Sequence, residues 1–144
     1  WFDVVAARHA IQVGGVDAIV LTKIDVLDNQ ETIHVCVGYR LGEKTLETFP
    51  AEASILERCE PCYEEFPGWM TNTMGTRTMR DLPDRAREYV QYLERLLGKP
   101  IIIVSTGPSR DDTIELEDPF EMIQESKLGR SEFSSQFYYY HCIS

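Results

Sequence analysis

The stretch of residues 18–25 reads Ala-Ile-Val-Leu-Thr-Lys-Ile-Asp and carries the clearest structural signal in the chain. Its four leading apolar residues predict a short buried strand, and the strand ends in a Lys-x-Asp sequence. Open α/β sheets bind their ligands at the carboxyl ends of their strands. We therefore expect the Asp25 carboxylate to face a binding pocket.

A second strand end has a similar character. Residues 101–104 form the β-branched run Ile-Ile-Ile-Val, which is followed by Ser105, Thr106, Gly107 and Pro108. This turn is rich in hydroxyl groups, and Gly107 allows the backbone to approach a flat ring closely. Main-chain N–H groups near Ser105 and Thr106 are candidate donors to a ligand carbonyl.

Together the two turns have the chemistry to recognise guanine. Guanine offers two adjacent N–H donors, and the single carboxylate of Asp25 can accept both in a charge-assisted pair that adenine cannot reproduce. The aliphatic part of Lys23 can cover the purine face, and Pro108 is a candidate for flanking the ring. Taken alone, Lys-x-Asp also fits a surface lysine followed by a helix-capping aspartate.

Several short motifs in this sequence resemble those of one family, the adenylosuccinate synthetases, in their order and spacing. The match runs from Trp1 to about Phe120 and looks like the carboxy-terminal third of such an enzyme. These motifs are Trp1-Phe2-Asp3, Leu21-Thr22-Lys23-Ile24-Asp25-Val26-Leu27-Asp28, Val37-Gly38-Tyr39-Arg40, Glu60-Pro61, Pro67-Gly68-Trp69 and Ser105-Thr106-Gly107-Pro108 with Arg110.

The resemblance implies a ligase of purine biosynthesis that joins IMP and L-aspartate at the expense of GTP, with Mg²⁺. It places the guanine-binding part of the GTP site at Lys23, Ile24, Asp25, Ser105, Thr106 and Gly107. It also implies a homodimer in the cytoplasm and a fold related to the P-loop NTPases. These implications agree with the interpretation of the two turns from their chemistry.

The same resemblance places the catalytic residues, the phosphate loop, most IMP contacts and the Mg²⁺ site upstream of Trp1. No glycine-rich phosphate signature and no His-Glu-x-x-His metal motif occurs in the 144 residues. We therefore expect this chain to carry no catalytic and no metal-binding residue, and to be inactive alone.

Composition narrows the classes of partner. The chain has 43% hydrophobic and 26% charged residues, which is typical of a globular domain. Its net charge is −10 and no basic stripe is present, so nucleic-acid binding is not expected. No apolar stretch is long enough to cross a bilayer, and a cytoplasmic protein without membrane contact is the expectation.

The cysteine pattern does not favour a metal site. Cys59 and Cys62 have the spacing of a redox pair or of half a zinc site. A second such pair is missing, and the three histidines do not supply metal-ligand spacing. Cys36 alternates within an apolar strand and is interpreted as a core thiol, and the family resemblance implies that Cys62 is a small hydrophobic residue.

The pattern of elements predicts an α/β fold with a mixed, largely parallel sheet and flanking helices. Helices are expected over residues 2–13 and from Asp81 to Leu97, and the region from Pro50 to Trp69 is expected to be surface loops. Residues 1–120 are expected to form the guanine-recognising part. Residues 121–144 depart from the family pattern and are expected to be a disordered tail.

Two alternatives from other classes remain open. A small regulatory GTP-binding module of the Ras-like type also uses a Lys-x-Asp turn, but it requires a phosphate loop in the same chain. A non-catalytic interaction module with an acidic surface would treat both strand-end turns as ordinary loops. GTP binding by the complete protein separates this last class from the synthetase.

Overall fold

The computed structural model describes residues 1–116 and the strand at 137–141. Within these residues the strands are β1 (Phe2–Asp3), β2 (Ala18–Thr22), β3 (Thr32–Leu41), β4 (Lys44–Leu46), β5 (Glu60–Pro67), β6 (Ile101–Ser105), β7 (Thr113–Glu115) and β8 (Phe137–His141). The helices are α1 (Val4–Gly14), α2 (Ala53–Leu56) and α3 (Asp84–Leu97), and Ile24–Leu27 form a single 3₁₀ turn.

The strands form two sheets of four strands each. In one sheet β3 pairs parallel with β1 and antiparallel with β4 and β5. The other sheet has the order β7-β6-β2-β8, with β2 parallel to both of its neighbours and β7 antiparallel to β6. The predicted α/β class is confirmed, but the prediction of one largely parallel sheet is corrected to two mixed sheets.

Strand β5 occupies part of the region that was expected to be surface loops. It pairs with β3 from Thr32↔Pro67 to Arg40↔Glu60, with an irregularity between Cys36 and Gly38. Of its eight residues only Cys62 and Phe66 are even half-buried, so the alternation of polar and apolar residues that marks a strand is weak. Because β5 is so exposed, it tolerates proline, and its sequence gives little indication of a strand.

Helices α1 and α3 lie where the sequence predicts helices, and both pack against the sheets. Helix α1 begins at Asp3, whose Oδ1 accepts the Ala6 N–H at 2.9 Å, and it ends at Gly15 with φ +60°. Helix α3 buries one face, which consists of Ala86, Tyr89, Val90, Leu93 and Leu97. Both helices share one buried cluster with β2 and β6, and this cluster fixes the position of those strands.

The structure describes only five residues of the predicted tail, residues 121–144. Phe137–His141 form β8, which pairs with β2 from Ala18↔Phe137 to Thr22↔His141. At these residues the structure differs from the expected disorder, since a strand beside β2 satisfies backbone groups of both strands. The proposed boundary at residue 120 and the rest of the tail lie outside the described residues. No helix in the described part is long and apolar enough to span a membrane.

Candidate functional site

The Lys-x-Asp turn, residues 23–28, starts where β2 ends. Lys23 is exposed and has φ +59° and ψ +45°, a left-handed conformation that is unfavourable for a residue with a side chain. Ile24 is completely buried and anchors the 3₁₀ turn in the core. This anchor turns the backbone sharply, and the next residue, Asp25, lies at the carboxyl edge of the sheet.

Asp25 has an unusual environment for an acidic residue. The residue is half-buried, and its Oδ1 is buried without a hydrogen bond from any described residue. A buried carboxylate oxygen normally has a donor, because removing it from water without one costs about 1–3 kcal/mol. Asp25 Oδ1 is therefore an acceptor whose donor is not among the described residues.

The Ser-x-Gly turn, residues 105–112, is held closed by its own hydrogen bonds. Ser105 Oγ donates to the Gly107 carbonyl at 3.0 Å, and the Thr106 N–H donates to the Asp112 carbonyl at 2.8 Å. Thr106 is completely buried, and its hydroxyl donates to the Thr76 carbonyl at 2.9 Å. The Thr106 N–H and side chain are thus used inside the protein and are not available to a ligand.

Gly107 is the residue of this turn that requires the absence of a side chain. A Cβ atom at this position would lie 2.6 Å from Asp112 Oδ2 and 3.1 Å from Asp112 Cβ. No described residue accepts the Gly107 N–H, which leaves this group as the candidate main-chain donor. Pro108 follows as an exposed residue, where it can flank a ligand.

The structure brings the two turns to one edge. Strands β2 and β6 are adjacent and parallel, with Leu21 opposite Val104, so both turns leave the sheet in the same direction. Cα atoms of the 3₁₀ turn and of β6 lie within 8 Å of one another. Both turns therefore lie at one edge of the sheet, and a single site that includes Asp25 and Gly107 stays a prediction.

A third segment, residues 68–76, connects the two turns, and the sequence did not indicate it. Asp28 is buried and accepts hydrogen bonds from the Trp69 indole N–H at 2.7 Å and from Thr73. We name this segment the bridging loop. Asp28 and Trp69 both lie in stretches that carry the family resemblance, but no sequence pattern indicated that they contact each other.

Backbone strain is concentrated at this edge. Of the described residues other than glycine, two have positive φ, namely Lys23 at +59° and Met70 of the bridging loop at +47°. Such conformations cost energy and persist where the surrounding structure imposes them, which is frequent at functional sites. Their position on both sides of Asp28 agrees with a binding role for this edge.

The cysteines form no site in the described part of the chain. Cys36, Cys59 and Cys62 are free thiols. Burial, followed by the nearby Asp3 carboxylate, raises the pKa of Cys36 to about 11, so this thiol is protonated at neutral pH. The described residues contain no group of three or more His, Cys, Asp or Glu side chains placed to hold a metal ion, so this part of the chain offers Mg²⁺ no such site.

Two adjacent turns at the carboxyl edge of parallel strands, one with a buried carboxylate oxygen that has no donor among the described residues, are typical of α/β ligand-binding proteins. Comparison with known proteins is more specific. The family model of adenylosuccinate synthetase matches residues 1–114. The chain belongs to the adenylosuccinate synthetase family, which confirms the resemblance found in the sequence.

Individual relatives agree with this assignment. The chain is 49% identical over 121 residues to the adenylosuccinate synthetase of Geobacter sulfurreducens and 50% identical over 121 residues to that of Geotalea daltonii, and each alignment covers 84% of this chain. It also resembles the structure of a fully ligated adenylosuccinate synthetase from Plasmodium falciparum, with a TM-score of 0.75 and 32% identity over 80% of this chain. The chain spans 28% of the length of each of these proteins.

Proposed function

We propose that this chain supplies the guanine-binding half of the GTP site of an adenylosuccinate synthetase. The proposal depends on one observation above all: Asp25 Oδ1 is buried without a donor among the described residues, at the edge where both strand-end turns meet. Family membership supports the same conclusion, because the relatives are synthetases by name.

In this proposal each residue has a distinct task. Asp25 accepts the N1 and N2 protons of guanine, and the Gly107 N–H donates to O6. Lys23 covers one face of the base with its aliphatic chain, and Pro108 flanks the ring. Ile24 and Thr106 do not touch the base, because their side chains are buried and the Thr106 N–H is bonded within the protein; they hold the two turns in shape.

The chemical step belongs to residues that we do not assign to this chain. The complete enzyme joins IMP and L-aspartate with GTP, and Mg²⁺ supplies charge neutralisation at the phosphates. The family resemblance places the catalytic groups, the phosphate loop and the metal site in the part of the relatives that this chain does not span. Dimer formation, a cytoplasmic location and the relation to P-loop NTPases remain predictions from the same resemblance.

The substitution Asp25→Asn tests base recognition. It replaces one acceptor oxygen by an amide donor that faces the guanine protons, so GTP loses one charge-assisted hydrogen bond and meets a repulsive group. The assay uses a hybrid enzyme in which this chain replaces the matching part of the Geobacter sulfurreducens synthetase. We expect the KM for GTP to rise by about 10²-fold or more, and XTP to improve relative to GTP.

Asp111→Asn is the matched control, since Asp111 is an exposed carboxylate in the last part of the Ser-x-Gly turn. This control makes the same change of charge and should leave the ratio of kcat/KM for GTP and XTP unchanged. An unaltered ratio in Asp25→Asn would exclude the base-recognition role. It would favour the alternatives in which this edge of the chain binds no guanine.

A further inference from the structure

Asp28 is a buried carboxylate with three hydrogen-bond donors, all from the bridging loop. Its Oδ1 accepts the Trp69 indole N–H at 2.7 Å and the Thr73 hydroxyl at 2.8 Å, and its Oδ2 accepts the Thr73 N–H at 2.7 Å. Only 7% of Asp28 is exposed. The Asp28 N–H donates to the Asp25 carbonyl at 3.1 Å, so this carboxylate is joined directly to the turn that carries Asp25.

The bridging loop continues from Thr73 to the second turn. The Thr76 N–H donates to the Thr73 carbonyl at 3.1 Å, and the Thr76 carbonyl accepts the hydroxyl of Thr106 at 2.9 Å. A continuous set of hydrogen bonds therefore runs from Asp28 through Thr73 and Thr76 to Thr106. It connects two turns that are about eighty residues apart in the sequence and that the sheet itself joins only at their bases.

Stability alone is a weak reason for such a connection. A buried charge loses its hydration, and replacing buried charged groups by apolar ones of similar shape is often neutral or stabilising. What the charged arrangement adds is geometry, because three donors fix the carboxylate in one orientation. The arrangement also holds Met70, which lies between Trp69 and Thr73 in a left-handed conformation.

We propose that Asp28, Thr73 and Thr106 are positioning residues that set the distance between Asp25 and the Gly107 backbone. This inference rests on the proposed guanine site and adds a determinant of its base specificity. None of the three residues touches the base. They act by holding two recognition groups in register, and a base that depends on both groups is sensitive to a displacement of about 1 Å.

The test measures base preference rather than binding alone. ITP lacks the 2-amino group of GTP and depends less on the contact with Asp25, so the ratio of the two dissociation constants reports the alignment of the turns. Dissociation constants for GTP and ITP are measured by NMR titration with the hybrid enzyme described above, which contains the whole GTP site. The indole signal of Trp69 serves as a local probe, because this N–H donates to Asp28.

Thr73→Val removes the hydroxyl donor to Asp28 and keeps the shape of the side chain, whereas Thr73→Ser keeps the hydroxyl. Thr106→Val and Thr106→Ser form the equivalent pair at the other end of the connection. We expect each valine variant to lower the preference for GTP over ITP by about 3- to 10-fold, and each serine variant to stay within about 2-fold of the parent.

The double variant Thr73→Val/Thr106→Val distinguishes a shared pathway from two separate packing effects. If the loop transmits position, the second substitution adds little to the first, whereas independent effects multiply. Multiplying effects, or an unchanged preference in folded valine variants, would overturn the inference. If one valine variant does not fold, the valine variant at the other end of the connection tests the inference by the same measurement, its preference for GTP over ITP.

Asp25→Asn in the same chain separates the two proposals. Suppose that the parent prefers GTP, that Asp25→Asn loses this preference and that the valine variants keep it. This result would support the proposed function and refute the positioning role. A parent without any preference for GTP over ITP refutes both.

Discussion

A Cβ atom on Gly68 would lie 1.7 Å from the carbonyl oxygen of Gln30. The Gly68 N–H donates to the Glu31 carbonyl at 2.8 Å, and the Gly68 carbonyl accepts from Arg85 at 3.0 Å. The start of the bridging loop is therefore pressed against the segment that follows Asp28, with space for backbone only. This contact brings Trp69 within reach of the Asp28 carboxylate.

Gly68→Ala should displace the bridging loop and destabilise the protein. The new methyl group meets a backbone atom, which cannot rotate away, so we expect a loss of about 2–3 kcal/mol in the free energy of unfolding. Urea denaturation measures this loss. The indole signal of Trp69 should shift as the hydrogen bond to Asp28 lengthens or breaks.

Gly75→Ala, in the same loop, is the control. Its Cβ would meet no atom within 4 Å, although φ is +77°, so its cost is the conformational one of about 1–2 kcal/mol. The Trp69 indole signal should remain in place in this variant. An undisturbed indole signal in Gly68→Ala would contradict the proposed contact with Gln30.

Substitution of Lys23 should separate stability from ligand binding. Lys23→Gly and Lys23→Ala both remove the side chain proposed to cover the base, and we expect each to weaken GTP binding by about 2- to 5-fold. Only glycine relieves the left-handed conformation at this position. Lys23→Gly should therefore be more stable than Lys23→Ala by about 1 kcal/mol in thermal or urea unfolding. Equal stability of the two variants would show that residue 23 is not held at positive φ in solution.

Cys36 should give stability a defined dependence on alkaline pH. Because burial raises its pKa to about 11 from 9.0, the folded state holds this proton more tightly than the unfolded state does. The corresponding stabilisation is complete below pH 9.0 and is lost as the pH rises towards about 11. In Cys36→Ala the free energy of unfolding should fall less over this interval.

Tyr92 also has a raised pKa, of about 12, caused first by burial and then by its hydrogen bond to Glu64. It is present in both the parent and Cys36→Ala, so its contribution cancels in the difference between their two pH profiles. Parallel profiles from pH 8 to 11 would contradict the raised pKa of Cys36.

The sequence predicted the parts of the site that follow from strand ends. Strands β2 and β6 are short apolar runs, and their carboxyl ends carry Asp25 and Gly107, so a local pattern and one general rule about α/β sheets were sufficient. The range of helix α3 follows from an equally local pattern. These features did not depend on knowing the rest of the chain.

The connection between the two turns was not predictable in this way. Asp28 and its partners Trp69 and Thr73 are 41 and 45 residues apart, and the bridging loop has no periodicity that indicates which side chains point inwards. Strand β5 was missed for a related reason: it is largely exposed, contains two prolines, and forms only through pairing with β3. Both features depend on contacts between distant segments.

The parallel pairing of β2 with β6 has a consequence for the thermodynamics of recognition. Both turns are anchored to neighbouring strands of one sheet, so neither needs a hinge or a folding step to meet the other. A nucleobase that binds there encounters a preorganised edge, and little conformational entropy is lost on complex formation. Calorimetry of guanosine binding should then show a small heat-capacity change, without the signature of coupled folding.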